Sequence, residues 1–281
     1  MPGEGLAIVA GSGALPRLIA EDRARSGRPY RVVRLDGTAL DWAGDHPVID
    51  AVLERPGRLF AALRREGCGD ITFAGAVRRP SLDPRRFDLT MVRLAPRILA
   101  GMRRGDDDTL RMIADIFEAE GFTVHAPHEL LAGLVMPAGV PTRARPTPAD
   151  EADVARAAEI VTALGAVDTG QGAVVAQGIC LGLESIQGTD VMLDFVARTS
   201  AGFRPDPEGA RGVLYKAPKP GQDWRLDLPA IGPDTVERAV AAGLAGIVVQ
   251  AEAVLLLGRE ETIKAADAAG LFLWGREPQA P

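Results

Sequence analysis

The sequence predicts an α/β protein in two parts: an N-terminal parallel sheet with helices on its faces, and a C-terminal mixed α/β part. Three observations carry this. Short aliphatic runs alternate with helical stretches through the first half, the pattern of β-α-β units. A stretch from Pro137 to Pro148 containing four prolines interrupts the chain near its middle. Beyond it, two strand-like runs meet at a tight turn, which breaks the alternation.

The elements follow in order. Leu6 to Ala10 reads as a buried strand, closed by the turn Gly11-Ser12-Gly13. A helix runs from about Ala14 to Ser26, and Arg31 to Leu35 is a second strand that ends at Asp36. Pro56-Gly57 opens a helix to Glu66, since proline suits a first helical turn. Asp70 to Ala74 is a third strand, followed by the loop from Gly75 to Pro80. Residues 87–104 read as a helix broken or kinked near Pro96. Asp106-Asp107-Asp108 precede an amphipathic helix ending at Gly121, and Phe122 to His125 is the next strand. The proline stretch divides a Rossmann-like domain, residues 1–140, from a second α/β domain, residues 141–281.

In the second domain Thr147-Pro148-Ala149-Asp150 is a helix start, with threonine as cap and aspartate three residues on. That helix reaches about Leu164. Ala173 to Ala176 and Ile179 to Gly182 are adjacent strands, joined at Gln177-Gly178. Thr189 to Val196 is helical, Gly212 to Tyr215 extended, and Pro233 to Ala242 helical. Gly246 to Val249 and Ala253 to Leu257 are strands. A helix from Glu260 to Ala269 leads to a last strand at Leu271 to Trp274.

Composition narrows the function. With 281 residues, 47% of them hydrophobic, the chain can bury a core in each of two domains, and with only 5% aromatics those cores are aliphatic. A net charge of −6 argues against a general nucleic-acid binder. Cys68 and Cys180 are too few for a disulfide framework and lack metal spacing, which suits a reducing compartment. The N-terminus has no basic region followed by an apolar one, so it does not read as a secretory signal. No apolar run approaches the ~20 residues of a membrane span.

The densest chemistry lies from Lys216 to Pro229. Lys216, Lys219, Gln222, Asp223, Arg225 and Asp227 sit there among three prolines and a glycine, directly after a strand. Lysine and arginine neutralise phosphate oxygens, and aspartate can hold Mg²⁺ or orient a water. The plainer reading is a solvated, salt-bridged loop. The turn Gly11-Ser12-Gly13 resembles the start of a dinucleotide fingerprint, but Pro16 stands in place of the third glycine. It remains a glycine-rich turn opening a helix, where free N–H groups can hold an anion. Asp36 falls about where a ribose-binding acid would sit.

Two polar turns, Thr169-Gly170-Gln171-Gly172 and Glu184 to Asp190 with Thr189, lie at strand ends where α/β sheets place ligands. Thr189 could equally cap a helix. Asp106 and Asp107 could contact metal or ligand, although first-turn carboxylates also serve the helix dipole. The three histidines, His46, His125 and His128, make no metal-binding pattern. No G-x-S-x-G elbow or complete Walker loop is present. Residues 85–104 concentrate Arg85, Arg86, Arg93, Arg97, Arg103 and Arg104 among apolar residues such as Phe87, Leu94, Ile98 and Met102. Such a stretch can lie on an anionic membrane or cradle acyl chains, or it can pack on the sheet as an ordinary helix.

Several motifs together carry a resemblance: Ile8 to Pro16, Gly105 to Arg111, Asp168 to Gln171, Glu184 to Asp190, and Lys216 to Gly232. In order, along nearly the whole chain, they resemble the UDP-2,3-diacylglucosamine pyrophosphatases of lipid A biosynthesis, in the type unrelated to metallophosphoesterases. Gln187 departs from the glutamate expected at its position. The resemblance implies Mg²⁺-dependent hydrolysis of a pyrophosphate to 2,3-diacylglucosamine 1-phosphate (lipid X) and UMP. It also implies a homodimer with the ligand between the domains, cytoplasmic and peripheral on the inner membrane.

On this reading Asp223 or Asp227 is catalytic. Gly11, Ser12, Gly13, Thr169, Gly170, Gln171, Thr189, Lys216, Lys219, Gln222 and Arg225 bind substrate, and Asp223 and Asp190 are the metal ligands. Two other readings compete: a nicotinamide-dependent oxidoreductase using the glycine turn and Asp36, and a non-catalytic nucleotide- or lipid-binding module.

Overall fold

The structure, a computed structural model, describes residues 3–77, 82–101 and 106–278; the side chains of residues 100, 106 and 107 fall outside that description. The chain divides into two compact units, residues 1–132 with 223–227, and residues 133–222 with 228–281.

Unit 1 holds strands β1 (Gly5–Ala10), β2 (Tyr30–Leu35), β3 (Val48–Ala51), β4 (Cys68–Ala74) and β5 (Thr123–Val124), with helices α1 (Leu15–Ser26), α2 (Pro56–Arg65), α3 (Leu89–Gly101), α4 (Asp106–Ala119) and α5 (Pro127–Leu130). The sheet order is β3-β2-β1-β4-β5 and every pairing is parallel, the doubly wound arrangement expected from the alternation. β1 is buried along its whole length because it is the central strand, covered on both faces. On one face Ala7, Val9, Val33 and Ile71 pack with Phe60, Phe117 and Phe122. Phe60 meets Phe117 edge-to-face at 5.2 Å between centroids. Leu226, distant in sequence, fills a place in this same core.

Unit 2 holds α6 (Pro148–Ala166), β6 (Gly172–Ala176), β7 (Ile179–Leu183), α7 (Gly188–Thr199), β8 (Val213–Lys216), β9 (Ala230–Ile231), α8 (Pro233–Ala241), β10 (Gly246–Gln250), β11 (Leu255–Leu256), α9 (Arg259–Ala269) and β12 (Phe272–Arg276). Its main sheet runs β12-β10-β8-β6-β7. β12, β10 and β8 are parallel, and the hairpin β6–β7 reverses direction beside them. The mixed architecture is therefore as the sequence indicates. β9 and β11 form a separate two-stranded pair, so only Leu255–Leu256 of the apolar run at 253–257 is strand.

Two local predictions show why the sequence was readable. Gln177 and Gly178 have φ of 52° and 77°, the doubly positive backbone of a two-residue hairpin turn. Asp153, almost fully buried, accepts from both turn amides at 2.9 and 2.7 Å. Thr147 Oγ1 accepts from the Asp150 amide while Asp150 accepts from the Thr147 amide, the reciprocal cap foreseen. Among the described residues no helix is long and apolar enough to cross a membrane.

Candidate active site

In unit 2 the end of β8 carries Lys216, which the neighbouring strands seal from water: its side chain is 4% exposed and that of Glu184 is 8%. The cause lies in the sheet register. Gly172 pairs with Lys216, and the Glu184 amide donates to the Gly172 carbonyl, so the three residues stand side by side on adjacent strands. Gly172 has no side chain. A Cβ there would lie 2.3 Å from Glu184 Oε2 and 3.4 Å from Lys216 Cγ. Lys216 and Glu184 therefore meet over the glycine, with Nζ 3.7 Å from Oε2. Gly170 serves the same approach, since its Cβ would lie 2.1 Å from the Glu184 carbonyl oxygen. Lys216 Nζ donates to Thr189 Oγ1 at 2.6 Å, at the start of α7. Among the described residues, Glu184 Oε2 and Gln171 Oε1 are buried acceptors with no hydrogen-bond donor.

The loop after β8 is stiffened by local geometry. Lys219-Pro220-Gly221-Gln222 closes with the Gln222 amide donating to the Lys219 carbonyl at 3.1 Å, and Gly221 has φ 75°. Proline then glycine with positive φ is the signature of a type II turn. The buried Gln222 completes it, its Oε1 accepting from the Lys219 amide at 2.8 Å. Lys219 Nζ reaches Asp168 Oδ1 at 2.5 Å. Thr169 is exposed next to it, and Asp190 is exposed with Oδ2 3.6 Å from Arg238.

Residues 223–227 belong to unit 1. Asp223 Oδ1 accepts from the Arg225 amide and from Arg225 Nε, both at 3.0 Å, and Oδ2 accepts from Nη2 at 2.8 Å. The remaining arm of the guanidinium donates to Glu118 on α4 at 2.6 Å. This fork is the shape that carboxylates and phosphates both accept. Hydrogen bonding to Arg225 holds the Asp223 carboxyl below the usual aspartate range, against a smaller opposing effect of burial. Asp227 completes the segment, its amide 3.3 Å from the Asp223 carbonyl.

The turn Gly11-Ser12-Gly13 sits at the end of β1, and it is zipped to the end of β4. Ser12 and Ala76 exchange backbone hydrogen bonds at 2.9 and 3.0 Å, and a Cβ on Gly11 would lie 2.5 Å from the Ala76 oxygen. Close backbone approach thus accounts for Gly11, while Ser12 and Gly13 (φ 97°) remain exposed at the sheet's ligand-facing end. Asp36 accepts from Arg86 Nη2 at 2.7 Å. Burial pushes the Cys68 thiol up, away from nucleophilic character, while Cys180 is exposed.

On α3, Leu89, Val92, Pro96 and Leu99 form an exposed apolar stripe, while Leu94 and Ile98 pack on the core. Arg93 and Arg97 pair with Glu120 and Asp115. Met102, Arg103, Arg104 and Gly105, and the side chains of Asp106 and Asp107, lie outside the described residues.

The structure thus gathers Lys216 and Thr189 in one cluster, Lys219 and Gln222 in one turn, and Asp223, Arg225 and Asp227 in one segment. Sequence reasoning overlooked Glu118 and the burial of Glu184. The glycine pair at 170 and 172 was the available signal for Glu184, because such spacing marks close approach.

Family models match both parts of the chain: the LpxI N-terminal domain over residues 5–134 and the LpxI C-terminal domain over residues 137–274. A curated relative from Caulobacter vibrioides, the UDP-2,3-diacylglucosamine pyrophosphatase LpxI, is 41% identical over 274 residues, covering 98% of each chain. A match of that identity from end to end, with both domain models in order, makes this chain a member of the LpxI family.

Proposed function

We propose that this protein hydrolyses the pyrophosphate of UDP-2,3-diacylglucosamine to 2,3-diacylglucosamine 1-phosphate and UMP. The observation that carries this reading is the end-to-end identity to the Caulobacter enzyme. The preorganised polar residues of both units support it. A phosphoric anhydride needs cations placed before it arrives and one positioned water. In unit 2 Lys219 is held by Asp168 and Thr189 stands at the start of α7; in unit 1 Arg225 is held by Asp223 and Glu118.

Within the segment 223–227 the two aspartates have different work. Asp223 shapes the loop by holding both the amide and the fork of Arg225. Asp227 is the carboxylate assigned to orienting the water, whose oxygen forms the new bond to phosphorus as the anhydride bond breaks. The water's proton passes to a carboxylate or to solvent.

Mg²⁺ is the proposed cofactor. Among the described residues no group of three or more His, Cys, Asp or Glu is gathered into a metal cage. Magnesium takes one or two carboxylates and completes its shell with phosphate oxygens and waters. Each candidate ligand, Asp223 or Asp190, supplies a single carboxylate. When bound, the ion neutralises phosphate charge.

The exposed stripe Leu89, Val92, Pro96 and Leu99 suits acyl chains or a membrane surface. Leu89→Ser/Leu99→Ser should co-sediment less with anionic vesicles than wild type, and equal sedimentation of a folded variant removes that role. A homodimer is proposed on the family resemblance, and sedimentation velocity tests it. The oxidoreductase reading is disfavoured, because Asp36 is engaged by Arg86 and Pro16 stands in place of the third fingerprint glycine. The deciding experiment is incubation with UDP-2,3-diacylglucosamine and Mg²⁺. Release of UMP is expected, and its absence with NADH binding would overturn the reading.

A further inference from the structure

Lys216 has the right charge for phosphate, but it is buried. Its Nζ donates to Thr189 Oγ1 at 2.6 Å and lies 3.4 Å from the Ala230 carbonyl. The third direction faces Glu184 Oε2 at 3.7 Å, too long for a direct hydrogen bond and close enough for strong attraction in a dry site. Glu184 is the partner that balances this charge, and its Oε2 has no hydrogen-bond donor among the described residues. A carboxylate oxygen left without a donor is costly to bury, and a glycine at position 172 is required to admit it. A structural role alone would be better met by an apolar residue.

Thr189 differs from Lys216 in being partly exposed. Its oxygen accepts from the ammonium, so its own hydroxyl proton remains to donate. It stands in the first turn of α7, a twelve-residue helix whose N-terminus has no side-chain cap. Backbone N–H groups and the helix dipole favour an anion there. A hydroxyl whose oxygen is already bonded to a cation is a stronger donor than an isolated one.

We propose that Lys216 acts on the substrate's phosphate through Thr189 rather than by touching it, and that Glu184 is a positioning residue that keeps the ammonium aimed at Thr189. This rests on the pyrophosphatase reading of the same site and assigns a role to Glu184 within it. Thr189 is the group that meets the anion, and Lys216 and Glu184 stand behind it in series.

The test is a double-mutant cycle on Glu184→Gln and Lys216→Met, with Thr189→Val and Thr189→Ser beside it. UMP release and calorimetric affinity for UDP are the two readouts, and circular dichroism checks folding. Thr189→Val should lower kcat/KM roughly 10- to 100-fold, the scale of one hydrogen bond to a charged group, and Thr189→Ser should restore most of it. Glu184→Gln should cost several-fold in the wild-type background and nothing further once Lys216 is methionine, because the two act in series. If the two losses multiply, Glu184 does not act through Lys216. If Thr189→Val keeps wild-type turnover and UDP affinity, the relay is wrong. Wild-type protein that binds UDP but releases no UMP would sink the pyrophosphatase reading instead, and the cycle on UDP affinity would still decide the relay. Should Lys216→Met fail to fold, the comparison of Thr189→Val with Thr189→Ser decides alone.

Discussion

Arg225 in unit 1 and Lys216 in unit 2 both meet carboxylates, at opposite degrees of burial. Arg225 is 40% exposed, and every arm of its fork is matched by Asp223 or Glu118. Lys216 is sealed, yet its glutamate stands beyond hydrogen-bond distance with one oxygen unmatched. Water screens the first cluster, so each pair there contributes about 0–1 kcal/mol and chiefly fixes a loop. The second lacks that screening, so its pair is costly to break and its cation keeps a strong field. Complete pairing at the surface therefore fixes the Arg225 fork in one orientation, and incomplete pairing in the interior leaves the Lys216 charge directed elsewhere.

The strongest challenge to this contrast is chemical. Asp227→Ala should lower UMP release by on the order of 10²–10⁴, the usual cost of losing a group that acts in the transition state. Asp223→Ala should cost less, because it loosens the loop without removing the acting carboxylate. Equal losses would place the chemistry on Asp223 as well. Stability separates the clusters next. Lys216→Met leaves Glu184 buried and unpaired and should destabilise unit 2 by about 3–5 kcal/mol. Glu118→Gln should change stability by about 0–1 kcal/mol. Thermal melts showing similar drops for both would erase the distinction.

The glycines sharpen it further. Gly170→Ala drives a Cβ against the Glu184 backbone oxygen and should cost about 1–3 kcal/mol. Gly172→Ala clashes with the end of the flexible Glu184 side chain and touches Lys216 Cγ at ordinary contact distance, and should cost less stability. It should still lower turnover by pushing the carboxylate off Lys216. A Gly172→Ala variant with wild-type turnover argues against the carboxylate's position mattering.

Acid should produce the smallest effect. Arg225 lowers the Asp223 carboxyl in the folded state. A depressed carboxyl contributes stability that is present above the unfolded aspartate value, about 3.9, and is lost as pH falls through the lower folded value. Wild type and Asp223→Asn should therefore differ slightly in melting temperature at neutral pH and converge below about pH 4. A difference that persists in acid would mean that Asp223 holds the loop by shape and not by charge.

Much of this was legible from the chain. The parallel sheet of unit 1, the hairpin at Gln177-Gly178 and the cap at Thr147 all follow from local rules of period, turn and capping. β3 was missed because Val48–Ala51 is a short, half-exposed edge strand with no alternation. β9 was missed because two residues carry no period. The site's cations could be picked out by type, but their partners could not. Arg225 and Glu118 are 107 positions apart, and Lys216 reaches Glu184 only through the register of β6 between β7 and β8. Pairings of that kind are set by the fold and leave no mark on local sequence.

One further consequence belongs to the order of synthesis. Unit 1 takes residues 223–227 from late in the chain, and Leu226 fills a place in its core. When the ribosome has made residue 132, that place has no side chain to fill it. At common elongation rates the missing segment follows roughly 5–20 s later. Until then the nascent N-terminal half carries an unfilled apolar seat, a point of exposure to chaperones that is closed only when most of the second half has been made.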